Sequence, residues 1–327
     1  MAIKWLRQPP EAGRAKLLRV TDVMYGETVE VSEGVYAYIQ PDGSWFLNNM
    51  GFLTSPAGVI SIDATSTERR TRAYLEAIAR VSSQPVRTLV NTHHHGDHTH
   101  GNYLFTGATI VAHERCREQV LAFGLPDNLR GVWTDVEWGD LSVAPPFLTY
   151  ETGVTLWSGD LRCDVRYVGM PAHTTNDSII HIRDRSLLFA GDLVFNGGTP
   201  FLLLGSIGGA IEVLEQVVRP LGAATIVPGH GPVCGPEVID DMVGYLRFVQ
   251  GLARDASAAG LSPLDAARQA DLGEYASWTD AERIVGNLHR AYAELAPDAV
   301  PGAPIDVVAG LADMIAYNGG RPLTCHA

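Results

Sequence analysis

Asn91-Thr92-His93-His94-His95-Gly96-Asp97-His98-Thr99-His100-Gly101-Asn102 packs five histidines and an aspartate into eight positions of a 327-residue chain that has eleven histidines in all. Imidazole and carboxylate together are the ligand set of zinc and its first-row neighbours. In an extended segment side chains alternate faces, so His93, His95 and Asp97 point to one side and His94 to the other. Gly96 then permits a sharp turn that swings His98 back toward a second metal. The competing reading is a solvated, histidine-rich loop without a defined site. Further ligand types at the ends of other apolar runs decide between the two. His173 lies in Gly169-Met170-Pro171-Ala172-His173-Thr174, Asp192 closes Leu188-Phe189-Ala190-Gly191-Asp192, and His230 stands in Ile226-Val227-Pro228-Gly229-His230-Gly231.

His-x-His-x-Asp-His, a lone histidine, Gly-Asp and then Gly-His-Gly, in that order and at strand ends, resembles the pattern of the metallo-β-lactamase superfamily. The resemblance implies an α/β fold, the four-layer αββα sandwich. It also implies that His93, His95 and His173 hold one metal, that Asp97, His98 and His230 hold a second, and that Asp192 bridges them. Asp63, at the end of Gly58-Val59-Ile60-Ser61-Ile62-Asp63, matches the family's buried aspartate behind the ligand loop, since ligand histidines need a partner for the other ring nitrogen. On local signals alone Asp63 also reads as the N-terminal carboxylate of the helix that follows. The expected cofactor is two divalent ions, zinc first, with iron and manganese compatible with the same ligands.

Composition is that of a soluble globular protein, 46% hydrophobic and 19% charged. A formal charge of −13 argues against nucleic acid or an anionic membrane as partner. The opening residues lack the apolar core of a signal peptide, and no stretch is long enough to span a membrane, so the expected compartment is the cytoplasm. Four scattered cysteines, Cys116, Cys163, Cys234 and Cys325, form no Cys-x-x-Cys pair and suggest no disulfide framework. Cys234 follows His230 closely and reads either as a neighbour of the site or as buried filler.

Three regions are expected: a loosely structured lead-in over residues 1–30, a catalytic domain over 31–236 and a helical extension over 237–327. Strands are predicted at Val35–Ile39, Trp45–Leu47, Val59–Ile62, Arg87–Val90, Thr109–Ala112, Val154–Trp157, Leu161–Val168, Ser178–Ile182, Leu187–Phe189 and Thr225–Val227. Helices are predicted near Ser66–Val81, from Glu114, and near Ile207–Val218. Arg69, Arg70, Arg72 and Arg80 read as the solvated face of the first. The irregular stretch from Gly124 to Pro146, with Trp133 and Trp138, is a lid or pocket wall, or else a surface insertion. Asp192–Gly205, apolar and punctuated by glycine, is a pocket floor or core packing. In the extension, Ile239, Met242, Val243, Leu246, Val249 and Leu252 recur at helical spacing. Further helices are expected near Pro263–Ala270, Thr279–Leu295 and Ile305–Ala316. Their apolar stripes require packing on the sandwich or on a second copy of the chain, a homo-oligomer.

Such a site suits hydrolysis of a thioester or ester by a bridging hydroxide, with Asp97 orienting it and passing its proton to the leaving group. Ser206 lacks the spacing of a nucleophile elbow and no cysteine has a partner. Within the family, Asp192 points away from antibiotic hydrolysis. The glyoxalase II and lactonase branches have the aspartate, but Phe195 stands where lactonases commonly carry a tyrosine. The chain is similar to zinc-dependent cyclase/thioesterases of bacterial aromatic polyketide pathways in Phe195-Asn196-Gly197-Gly198-Thr199-Pro200-Phe201, in residues 229–240, and in Ala316-Tyr317-Asn318-Gly319-Gly320 with Leu323-Thr324-Cys325. That likeness implies a small-molecule acyl substrate, on a carrier protein or coenzyme A, and adds aldol cyclisation to hydrolysis. Alternatives are a lactonase, a glyoxalase II-like hydrolase, an iron-dependent oxidation, and a metal-bound module that binds without catalysing.

Overall fold

The computed structural model describes residues 25–126 and 131–327. Most of the expected lead-in lies outside the described residues. Its last part is not loose, because Glu27–Ser32 forms β1, paired antiparallel with β2 (Val35–Ile39). The first sheet continues through β3 (Met50–Ser55), β4 (Gly58–Ile62), β5 (Val86–Val90), β6 (Thr109–His113) and β7 (Leu148–Tyr150), in sequence order. It is antiparallel as far as β4 and parallel from β4 to β7. The second sheet runs β12-β11-β10-β9-β8, from β8 (Gly153–Ser158), β9 (Leu161–Tyr167), β10 (Ser178–Ile182), β11 (Leu187–Phe195) and β12 (Thr225–His230); only β11 and β12 are parallel.

Alternation along the strands builds the layers. Val35 and Ala37 of β2, Ile60 and Ile62 of β4, Val165 of β9, Ile180 and Ile182 of β10 and Phe189 of β11 meet between the sheets. Their alternate neighbours, Tyr36, Tyr38 and Val59, face outward onto α1 (Glu68–Val81) through Tyr74, Ala77 and Ile78. On the far side Ile179, Leu188 and Ala190 join a core with α4 (Ile207–Val213) and α5 (Val238–Ala258). Helix, sheet, sheet, helix is the expected four-layer sandwich. The short α2 (Gly96–Thr99) and α3 (Glu114–Phe123) sit around the first sheet.

Two expectations fail here. Trp45–Leu47 is a turn, not a strand, with Phe46 at a left-handed φ of 62°. Arg70 is not solvated: it is buried and donates to Gln40 Oε1 and to the His326 carbonyl, while Arg72 and Arg80 make exposed ion pairs with Glu68 and Glu76.

The later helices α6 (Pro263–Gln269), α7 (Arg283–Ala293) and α8 (Val307–Tyr317) share the core of the second sheet. One face of α7 does more than pack. Arg283, Asn287, Arg290 and Glu294 recur at helical spacing, and all four grip the irregular chain after β11. Arg283 donates to the Thr199 carbonyl. Asn287 accepts from Leu202 N and donates to the Pro200 carbonyl. Arg290 donates to the Leu203 carbonyl, and Glu294 accepts from Ile207 N and Gly208 N at the start of α4. A buried loop must satisfy its backbone groups somewhere, and here the extension supplies the partners. Asn287→Ala should therefore destabilise the protein by about 2 kcal/mol or more, since it uncovers buried donors and acceptors worth about 1–3 kcal/mol each. Urea unfolding measures this, and an unchanged midpoint would mean the loop holds itself.

Candidate metal centre

β4, β5, β11 and β12 end on one edge of the sandwich: the chain after β5 carries His93, His95, Asp97 and His98, the chain after β9 carries His173, and β11 and β12 themselves carry Asp192 and His230. The ligand run is not the extended segment that the alternation suggested. Residues 92–95 bend and pass directly into α2. Gly96 does not adopt a left-handed turn; it is required because a β-carbon there would collide with the His100 ring. The bend and helical turn still bring the expected side chains together. One oxygen or ring nitrogen from each of His93, His95, His173 and Asp192 lies within 4.8 Å of the others, and the same holds for Asp97, His98, Asp192 and His230. Asp192 is common to both groups. Its Oδ2 is 3.3 Å from Nε2 of His173 and of His230, and its Oδ1 is 3.0 Å from His98 Nε2. Asp97 Oδ2 is 3.3 Å from His230 Nε2.

Outward ring nitrogens are held from behind. Asp63 accepts three hydrogen bonds, from Thr92 N and Thr92 Oγ1 at 2.7 Å and from His98 Nδ1 at 2.9 Å. It does not cap the following helix, a role taken by Thr67. His230 Nδ1 lies 3.0 Å from the Gly43 carbonyl. The loop is tied down further by Asn91, which donates to the His98 carbonyl and pairs reciprocally with Asn102.

These residues fit a pair of divalent cations. Among the described residues, His93 Nε2, His98 Nε2 and Asp192 Oδ1 are buried without an aligned hydrogen-bond partner, the 3.0 Å approach of the last two being geometrically unsuited to one. Burial holds the His93 and His95 rings well below the usual histidine range, so they present neutral lone pairs. Burial acts the same way on His98 and His230 but is outweighed there by the carboxylates, chiefly Asp192. His98 rises well above its ordinary value, and His230 is pushed up to about 9. Conversely, burial raises Asp192 and Asp97, yet the surrounding histidines win and keep both carboxylates anionic. A buried cluster that draws protons onto two imidazoles to balance its aspartates is one that a metal charge satisfies.

Beside the cluster opens a cavity of about 360 Å³. Its walls come from three distant parts of the chain: the Trp45-Phe46 turn, the segment after α3 through Leu125, Pro126 and Trp133, and the extension through Arg283, Val307 and Leu311. Trp45, Phe46 and Trp133 meet edge to face at 4.9–5.5 Å. The irregular stretch after Gly124 is thus a pocket wall where described, pinned by Thr134 N to the Leu323 carbonyl and by Leu323 N to the Val132 carbonyl. After Asp192 both readings hold: Leu193, Val194 and Leu202 are core, whereas Phe195, Phe201, Leu203 and Leu204 line the cavity. The Phe195 ring stacks on His230 at 4.9 Å and 2°. Cys234 is not part of this wall; it is packed on Ile226 near the start of β12. A larger cavity of about 530 Å³ beside α1 contains none of these residues. Trp45, Phe46, Arg283, Val307 and Leu311 escaped sequence reading. Only the Arg283/Asn287/Arg290 spacing, polar residues on an otherwise apolar helix face, was a signal.

The family model described as the metallo-beta-lactamase superfamily matches residues 43–230. The chain belongs to the metallo-β-lactamase superfamily. Among members of this superfamily, it is 30% identical over 193 residues to "Acyl-coenzyme A thioesterase MBLAC2" of Bos taurus, covering 54% of this chain and 67% of that protein. It is 28% identical over 244 residues to a hydroxyacylglutathione hydrolase of Gloeobacter violaceus, covering 70% of this chain and 82% of that one. A metallo-beta-lactamase from Pontibacter korlensis superposes with a TM-score of 0.56 at 17% identity, over 72% of this chain and 99% of the other, which establishes the shared fold. No helix among the described residues is long and apolar enough to cross a membrane.

Gly229 makes the metallo-β-lactamase centre of this chain sensitive to a single methyl group. A β-carbon there would collide with Asp192 Oδ1. Gly229→Ala should displace that carboxylate and lower zinc affinity at least tenfold by titration; unaltered affinity would mean Asp192 is not held by this approach.

Proposed function

We propose that this protein is a dinuclear, zinc-dependent hydrolase that releases a bulky, largely apolar acyl group from its thioester. The observation that carries the reading is the juxtaposition of two ligand clusters sharing Asp192 with a cavity whose other walls are mostly aromatic and aliphatic. In this reading His93, His95 and His173 hold one ion, Asp97, His98 and His230 the other, and Asp192 bridges. Bound there, the ions supply a nucleophilic hydroxide at neutral pH and Lewis-acid activation of a carbonyl. The chain's own residues do the rest. Asp97 lines the cavity as an anion, so the carboxylate oxygen not engaged by the ion can take a proton and deliver it to the departing thiolate. Asp63 and the Gly43 carbonyl fix His98 and His230 from behind, and Trp45, Phe46 and Trp133 exclude water from one side. The relatives named above support the leaving-group class, as their names describe removal of an acyl group from a thiol carrier.

A second reading adds aldol ring closure of a polyketide before release. The aromatic walls favour it, because a folded poly-β-ketone needs a shaped, apolar surface. Phe195 offers no hydroxyl at the place next to His230, which disfavours the lactonase reading.

Thiol release from a panel running from lactoylglutathione to aromatic and β-ketoacyl thioesters tests the proposal. Zinc-loaded protein should prefer the bulky members, and His95→Ala should lose metal and at least a hundredfold in activity. Preference for lactoylglutathione would move the assignment to a glyoxalase II-like hydrolase. Asp192→Ala should reduce bound zinc from two per chain toward one; unchanged occupancy by elemental analysis would refute the bridging role.

A further inference from the structure

Among the described residues lining the cavity, Arg283 is the lone arginine or lysine. It is buried to 1% exposure, and its guanidinium lies 4.0 Å from the Trp45 ring and 5.5 Å from the Phe195 ring. Two of its nitrogens are employed: Nη1 donates to the Thr199 carbonyl at 2.9 Å and Nη2 pairs with Asp280 Oδ2 at 2.7 Å. The third, Nε, is closed to solvent and has no hydrogen-bond partner among the described residues. Arg290, two turns along the same helix and outside the cavity lining, has its Nε, Nη1 and Nη2 all on backbone carbonyls. A buried cationic donor left without an acceptor is costly. The Asp280 carboxylate beside it cancels the charge, so the wall offers a directed hydrogen bond rather than a net positive field.

Resting on the acyl-hydrolase reading, we propose that Arg283 is the specificity-determining residue of the cavity, its guanidinium donating to a carbonyl or phenolic oxygen carried by the acyl group away from its reacting carbonyl. Phe195 touches both partners of this arrangement: it stacks on His230 and lies against the guanidinium. The preferred substrate is therefore an extended apolar or aromatic acyl group bearing a second oxygen, with the reacting carbonyl at the metal pair and the second oxygen at Arg283. A site built to hydrogen-bond an oxygen discriminates strongly against the analogue that lacks it.

Binding of free acids tests this without requiring turnover. Zinc-loaded full-length protein is titrated with naphthoate and with its hydroxylated isomers, followed by intrinsic tryptophan fluorescence. At least one hydroxylated isomer should bind about tenfold tighter than naphthoate. Arg283→Met should erase that preference, lowering affinity for the hydroxylated isomer more than for naphthoate, and Arg283→Lys, which keeps a charge against Asp280 but loses the planar fork, should retain part of it. Absence of any preference in the unmodified protein overturns the proposal, as does an equal loss for all ligands in Arg283→Met, which would mark a packing role. Should Arg283→Met fail to fold, the lysine variant and the isomer comparison in the unmodified protein still decide. Preserved selectivity with no thiol release from any thioester would strike the thioesterase reading alone.

Discussion

Asp63 accepts three hydrogen bonds at once, and the metal edge of the molecule depends on them. Two come from Thr92, at the mouth of the histidine run, and one from His98 within it. The carboxylate thereby locks the end of β4 to the loop leaving β5 and orients a ligand ring in a single step. Asp63 itself sits at a left-handed φ of 58°, a conformation unusual outside glycine, which surrounding bonds must hold in place. Without that anchor, the five imidazoles and two carboxylates of the centre would have no reason to point at common centres.

The first sheet can present the loop because its parallel half places the ends of β4 and β5 side by side, and the second sheet does the same with β11 and β12. Two independent parallel pairs therefore converge at one edge. The charge balance follows: against burial, the surrounding histidines, His98 and His230 foremost, hold Asp97 and Asp192 below the usual carboxylate range, a part that a metal charge can also play.

Much of this was legible in the sequence because it is written in residue types with few other uses. A run of histidines, then His173, Asp192 and His230 after β-branched or aliphatic runs, specifies both chemistry and strand ends. The αββα layering was legible through alternation in β2, β4 and β10. What escaped is instructive in physical terms. A short apolar run has no period of its own, and Trp45-Phe46-Leu47 reads as a strand although its backbone turns so that two aromatic rings can form a wall with Trp133. Arg70 sits on a charged helix face, and nothing local distinguishes it from its solvated neighbours; its partners, Gln40 and His326, are distant in sequence. β1 is short, partly exposed and preceded by residues without pattern. The recognition surface is assembled from turn, loop and extension, and no local window contains more than one of these.

The grip of α7 on residues 199–208 carries a consequence for how such a protein can change. The metal edge is fastened within the sandwich, by Asp63, Asn91 and the Gly43 carbonyl, whereas the cavity floor borrows its backbone partners from a helix outside it. Chemistry and recognition are therefore bolted to different parts of the frame. Substitutions along α7 and α8 can reshape what the cavity admits while the reacting edge stays registered, so that variation in one surface leaves the other intact.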